Sequence, residues 1–190
     1  MSIQPPLAGE PAPHQQRSTG AAPEAGIMGR IVDKVAFVFA AGIVMAAAIL
    51  LLEVFLRYLF NSPTIWAHET TVFLCGISFV FGGLYCTCRN THIRVVLLYD
   101  VISPRLRRIV DIVISLVSAV ASGFFAYAAF VMVQRAVIAP SGSVRLETTG
   151  SAWSPPTPAL IKIFILITMV LLVVQFVILA VNYARRSTRD

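Results

Sequence analysis

Four apolar stretches decide most of what this chain can become: Val35–Leu52, Val72–Cys88, Ile112–Val133 and Ile163–Val181. Each approaches or reaches the roughly 20 residues that a helix needs to cross a hydrocarbon core of about 30 Å. None keeps the polar stripe that a helix of a soluble bundle turns toward water. Between lipid tails every backbone N–H and C=O must be satisfied inside the protein, and a helix does this within its own segment. The expected fold is an all-α integral membrane protein with four transmembrane helices. Composition agrees, with 57% hydrophobic and 13% charged residues against about 25% charged in a soluble domain.

The first stretch is expected to stay in the mature chain. It follows about thirty residues of mostly polar sequence, runs longer than a signal-peptide core, and lacks a small-residue cleavage site at its end. Ala46-Ala47-Ala48 lies inside the run.

Residues 1–29 contain Pro5, Pro6, Pro11, Pro13 and Pro23 among Ala, Gly, Gln and Ser, without periodicity. That composition predicts a disordered tail. The transmembrane domain is expected over residues 30–184, and a basic tail over 185–190. Helix 1 should run to about Phe60. Asn61-Ser62-Pro63-Thr64 forms a turn, and helix 2 covers about Ile65 to Cys88. After Arg89-Asn90-Thr91-His92-Ile93-Arg94, the segment starting at Val95 is too short to span. Val95, Leu98 and Ile102 share one face of it, which predicts a short interfacial amphipathic helix between helices 2 and 3. Helix 3 starts after Ser103-Pro104 and continues to about Ile138. A polar loop, Ala139–Pro158, precedes helix 4 at about Ala159–Tyr183.

The net charge of +6 raises nucleic acid as a partner, but the basic residues gather at the ends of the apolar segments. That is where membrane topology places them. Four spans put the N-terminal tail, the 2–3 loop and the C-terminal tail on one side of the membrane. These hold Arg17, Arg30, Lys34, Arg89, Arg94, Arg105, Arg107, Arg108, Arg185, Arg186 and Arg189. The other side holds Arg57, Arg135, Arg145 and Lys162. The bias predicts cytoplasmic termini.

Helix 3 carries Ser115, Ser118, Ser122, Ala126 and Ala129 at helical spacing, and helix 2 carries Gly76, Gly83 and Thr87. Small residues let backbones approach in lipid, so both stripes read as packing faces. Helix 4 is nearly all Ile, Leu, Val and Phe, with Gln175 its one strongly polar side chain, and is expected to have more lipid contact. Cys75, Cys86 and Cys88 read as small apolar helix residues.

Ionisable groups in a span are functional candidates. Glu53 and Arg57 stand at i,i+4 near the end of helix 1, and His68 and Glu69 open helix 2 at the same side. They make either a proton or cation relay or a set of structural pairs at the membrane surface. Arg57 and Glu69 lie at matching depth on adjacent helices, which predicts that Arg57 bridges Glu53 and Glu69. A bis-histidine haem would need two facing histidines. His14 is in the tail, and His68 and His92 lie at opposite membrane faces, so no cofactor is expected. The nucleophile, phosphate-loop and zinc motifs of hydrolytic enzymes are missing, and neither a catalytic nor a metal site is expected.

Three motifs resemble a known family. Arg57-Tyr58-Leu59-Phe60-Asn61 with Trp66 and Glu69 resembles the helix 1–2 hairpin of the small membrane subunit of tripartite ATP-independent periplasmic (TRAP) transporters, the DctQ type. Arg89-Asn90-Thr91-His92-Ile93 with Val95 is similar to the family's loop after helix 2. Thr149-Gly150-Ser151-Ala152-Trp153-Ser154-Pro155-Pro156 with Lys162 resembles its outer loop before the last helix. The likeness covers Asp33 to Tyr183. It departs at His68, where the family often has the first of two adjacent acids, and at Glu53, where a neutral polar residue is common.

The resemblance implies a non-catalytic subunit of an ion-gradient-driven transporter for a carboxylate or related organic anion, in a bacterial inner membrane. Its implied partners are a large membrane subunit, which it braces, a periplasmic substrate-binding protein, which it helps to dock, and the lipid bilayer. Glu53, Arg57, Trp66, Glu69, Arg89, His92, Trp153 and Lys162 are its structural or interface candidates. The residues alone also admit a stand-alone proton- or cation-conducting protein and a redox membrane anchor.

Overall fold

The computed structural model describes residues 25–89, 104–139 and 142–185. Four helices account for nearly all of them: α1 (Gly26–Leu59), α2 (Trp66–Cys88), α3 (Pro104–Val137) and α4 (Thr157–Arg185). All four are long and apolar enough to cross a membrane. At about 1.5 Å per residue, the 23 residues of α2 span about 35 Å, close to one hydrocarbon thickness. The 34 residues of α1 and of α3 reach about 51 Å and must extend past it. The chain is an all-α multi-pass membrane protein.

Local chemistry explains the boundaries. α1 ends where Asn61 turns left-handed (φ 48°), a conformation Asn tolerates better than most residues. The Ser62 N–H then reaches back to the Leu56 carbonyl (3.0 Å). α3 opens on Pro104 and α4 carries Pro158 in its first turn, where a missing N–H costs nothing. Glu69 sits in the first turn of α2, favourable beside the positive end of the helix dipole. Gly26–Gly29, expected within the tail, form the start of α1. The rest of that tail, the residues after Arg185 and the expected interfacial helix after Arg89 lie outside the described residues.

The helices pack in the order α1, α2, α4, α3. Phe39 of α1 stacks on Phe81 of α2 (centroids 4.1 Å apart) and touches Phe164 of α4 (5.7 Å). Val32, Phe81, Leu84 and Cys88 form the buried cluster around this stack. Gly76 of α2 lies against Ile161 of α4, where an added methyl would meet the Ile161 Cδ1 at 3.7 Å. α3 lies along α4 and buries Asp111, Ser115, Ala119, Ser122, Ala129 and Ala136, a stripe at helical spacing. On α4 the buried residues are Ala159, Thr168, Gln175, Leu179 and Tyr183.

Two expectations about helix faces change. Gly76 and Thr87 are in the packing, but Gly83 is exposed with nothing within 4 Å of where a side chain would start. A seven-residue step drifts about 20° around a straight helix, enough to carry Gly83 off the edge of a contact stripe. The expectation for helix 4 holds only against its neighbours. Its apolar stretch is 17% buried, against 22% in α3 and 28% in α2, but α1 is far more open at 6%. α4 is flanked by α2 and α3, whereas α1 has extensive contact with α2 alone. The cysteines behave as expected of helix residues, with Cys86 exposed and Cys88, two positions on, buried.

Candidate functional site

Polar contacts concentrate at the two ends of the helices. One end, here the tail end, gathers the start of α1, the end of α2, the start of α3 and the end of α4. There Arg89 pairs with Asp33 (3.2 Å), tying α2 to α1, and its guanidinium lies 4.9 Å from the centre of the Tyr85 ring. Arg108 donates from Nε to the Tyr183 carbonyl (2.9 Å) and from a terminal nitrogen to the Ala184 carbonyl. It thereby satisfies carbonyls that the last turn of α4 leaves open and places positive charge at the negative helix end.

The opposite end, the loop end, holds most of the candidate residues. Glu53 is its hub. The carboxylate is largely covered (12% exposed), and both oxygens are used. Oε1 accepts from Arg57 (2.8 and 3.3 Å). Oε2 accepts from the Thr64 backbone N–H (3.0 Å) and from the Thr64 hydroxyl. One carboxylate therefore closes the α1–α2 turn from its far side. Thr64, the residue that completes this arrangement, lies eleven positions from Glu53, a spacing no helical periodicity reveals.

The bridge expected from Arg57 to Glu69 does not form. Arg57 points back one turn to Glu53, a contact any straight helix brings within reach. Glu69 instead accepts from the Thr149 hydroxyl (3.2 Å), and its other oxygen is buried without a hydrogen bond. The segment after α3 supplies that hydroxyl because it folds back over the helix ends. Ala139 N–H donates to the Ser143 carbonyl (3.0 Å), Arg145 N–H to Val137 (2.9 Å) and Glu147 N–H to Ala136 (2.8 Å), with Ile138 and Val144 bridged antiparallel.

Farther along, Thr149 N–H donates to the Pro155 carbonyl (3.2 Å). Ser154, left-handed at φ 46°, donates its N–H to the Ser151 hydroxyl (3.0 Å). The resulting strap is pinned to α4 by a Glu147–Lys162 ion pair and to α2 through Thr149 and Glu69.

Of the candidate residues, Glu53 and Arg57 meet each other, Glu69 and Lys162 meet the strap, and Arg89 serves the tail end. Trp66 and Trp153 stay partly exposed at 40% and 49%, suited to a membrane–water interface. His68 is exposed. His92 lies outside the described residues. Among the described residues no group of three or more His, Cys, Asp or Glu side chains is placed to hold a metal ion. The hydroxyls of Thr148, Thr149, Ser151 and Ser154 bond to one another and to the backbone. What these contacts do is join segments of the chain, and they leave two firmly tied helix ends around apolar spans.

The chain matches a family model over residues 46–186, from the middle of α1 to just past α4. No curated protein and no solved structure matches it. That family is described as tripartite ATP-independent periplasmic transporters, DctQ component. Since the matched stretch holds the Glu53 hub, the strap and the whole helix order, the chain belongs to the DctQ component family of TRAP transporters.

Proposed function

We propose that this chain is the non-catalytic small membrane subunit of an ion-gradient-driven TRAP transporter for a carboxylate or related organic anion. It sits in a bacterial inner membrane with both termini in the cytoplasm. It braces a large membrane subunit and helps to dock the periplasmic substrate-binding protein. One observation carries the reading: α1 is tied firmly at both ends yet leaves nearly all of its apolar surface open. A helix fixed in this way is a rigid rib. In lipid its open surface gains nothing from the hydrophobic effect, and association rests on packing that a partner must supply.

The loop end then faces the periplasm, and its strap offers a preformed surface to a soluble partner. The ionisable residues fit bracing better than conduction, because Glu53 spends both oxygens on the α1–α2 turn and Glu69 engages the strap.

The test is reconstitution. The chain should purify with the large subunit in mild detergent, and uptake into proteoliposomes should need both subunits and the binding protein. Full uptake without this chain would remove the bracing role. Proton flux through the chain alone would favour a conducting protein. Reporter fusions at Asp190 and Ser143 should report opposite compartments, with Asp190 cytoplasmic.

A further inference from the structure

We infer that the edge of the protein formed by Arg135, Arg145 and the hairpin they flank binds the headgroup of an acidic phospholipid in the leaflet at the loop end. The other basic side chains of this end are already engaged, Arg57 by Glu53 and Lys162 by Glu147. Arg135, in the last turn of α3, and Arg145, in the strap, are both exposed. Neither has an ion pair or side-chain hydrogen bond among the described residues. The Arg145 N–H bonds to the Val137 carbonyl (2.9 Å), which sets the two arginines close together along the fold.

Their setting is apolar. Ile138 and Val144 face each other in the antiparallel bridge, and both are exposed, at 49% and 80%. Leu146 is exposed as well. Free guanidiniums beside exposed aliphatic side chains call for an anion joined to hydrocarbon. A phospholipid offers both, since its phosphate can accept from an arginine fork while its acyl chains cover the hairpin. The position favours lipid over a protein ligand, because α3 has extensive contact with α4 alone and its exposed face remains apolar up to Met132. This inference needs only the membrane-spanning fold and stands apart from the transport reading.

The test uses the full chain equilibrated with vesicles of equal phosphatidylcholine and phosphatidylglycerol, then native mass spectrometry of the lipids that stay bound. The wild type should retain phosphatidylglycerol in preference. Arg135→Gln with Arg145→Gln should lower that preference about tenfold, Arg135→Lys with Arg145→Lys should keep most of it, and Lys34→Gln at the other end should leave it unchanged. An unaltered preference in the double Gln variant overturns the proposal. So does a double Gln variant that keeps its lipid but loses capture of the soluble binding protein, which would make the edge a protein surface. A second measurement avoids the arginine changes. Val144→Trp, in a chain with Trp66→Phe and Trp153→Phe, should be quenched more by lipids brominated near the headgroup than by lipids brominated at the chain ends. Absence of quenching by either lipid removes the hairpin from the membrane and overturns the proposal.

Discussion

The two hairpins of this protein are held together by different means. α1 and α2 meet through a stacked pair of rings, Phe39 on Phe81, and through one carboxylate that closes their short turn. α3 and α4 meet along a seam of small and polar residues and are fastened at both ends. Arg108 caps the end of α4, and the strap pairs with Lys162 at its start. The first hairpin concentrates its stabilisation at a few points and leaves α1 open. The second spreads it along a continuous close contact. In lipid, where burying apolar surface against apolar surface gains little, close backbone approach and local polar ties decide which helices stay together. The comparison therefore predicts that seam changes damage the second hairpin most, that loss of a single polar tie damages the first, and that α1 remains available to a partner.

The largest effect is expected from Ala129→Leu. Ala129 is buried in the α3–α4 seam (3% exposed), and a larger side chain must push the helices apart. Overpacking of this kind costs about 1–3 kcal/mol. The thermal midpoint of the purified chain should fall accordingly, while Gly83→Leu on the open face of α2 should leave it unchanged. If both variants behave alike, the seam is not the main contact of the second hairpin.

Glu53→Ala should come next. It removes the acceptor of both Thr64 contacts and leaves Arg57 without its carboxylate. A fall in melting temperature on the order of five degrees is expected from losing several charge-assisted hydrogen bonds at once. The α1–α2 turn should become accessible to protease in the same variant. A cleavage pattern matching the wild type would show that the turn holds its shape without this carboxylate.

The spans, their approximate ends and the turn at Asn61 were legible because they rest on local signals: apolar length, proline, and residues that tolerate a left-handed backbone. The helix order α1, α2, α4, α3 was not, since four nearly uniform apolar helices carry little information about neighbours. The candidate site divides in the same way. Glu53 with Arg57 is an i,i+4 pair on one helix and is visible in sequence. Thr64 lies across a turn, and Thr149 lies eighty positions from Glu69, so both contacts depend on how the chain folds back. Geometry at matching depth suggested Arg57 and Glu69 as partners, but depth says nothing about which way each side chain leaves its helix. Gln175 stood out as the one polar residue of the last span, yet composition alone did not place it in the interior.

Gln175 sharpens the comparison in the opposite direction. It is fully buried, and neither its amide nitrogen nor its oxygen has a hydrogen-bond partner. A buried amide without partners is costly, whereas an apolar side chain of similar size loses nothing there. Gln175→Leu should raise the stability of the second hairpin by about 1 kcal/mol, read as a higher melting temperature of the purified chain. A lower melting temperature would mean that the amide is satisfied in the membrane by a water or a neighbouring hydroxyl. The seam would then be held by polar contact as well as by close packing.

The smallest effect is expected from Arg57→Ala, and it separates two accounts of the first hairpin. If Arg57 were the bridge between helices, its loss would match that of Glu53. The structure instead leaves Arg57 half-exposed and joined to Glu53 on its own helix, while the contacts that cross the turn belong to Thr64. An exposed i,i+4 pair adds little, so the melting temperature should fall by about one degree. Exchanging the charges, Arg57→Glu with Glu69→Arg, should rescue nothing, because those two side chains make no contact to restore. It should instead do more harm than either single change, since it sets a second acid beside Glu53 and takes from Thr149 its acceptor. A double exchange more stable than both single variants would reinstate the bridge between helices and transfer the closing of the turn from Glu53 and Thr64 to Arg57.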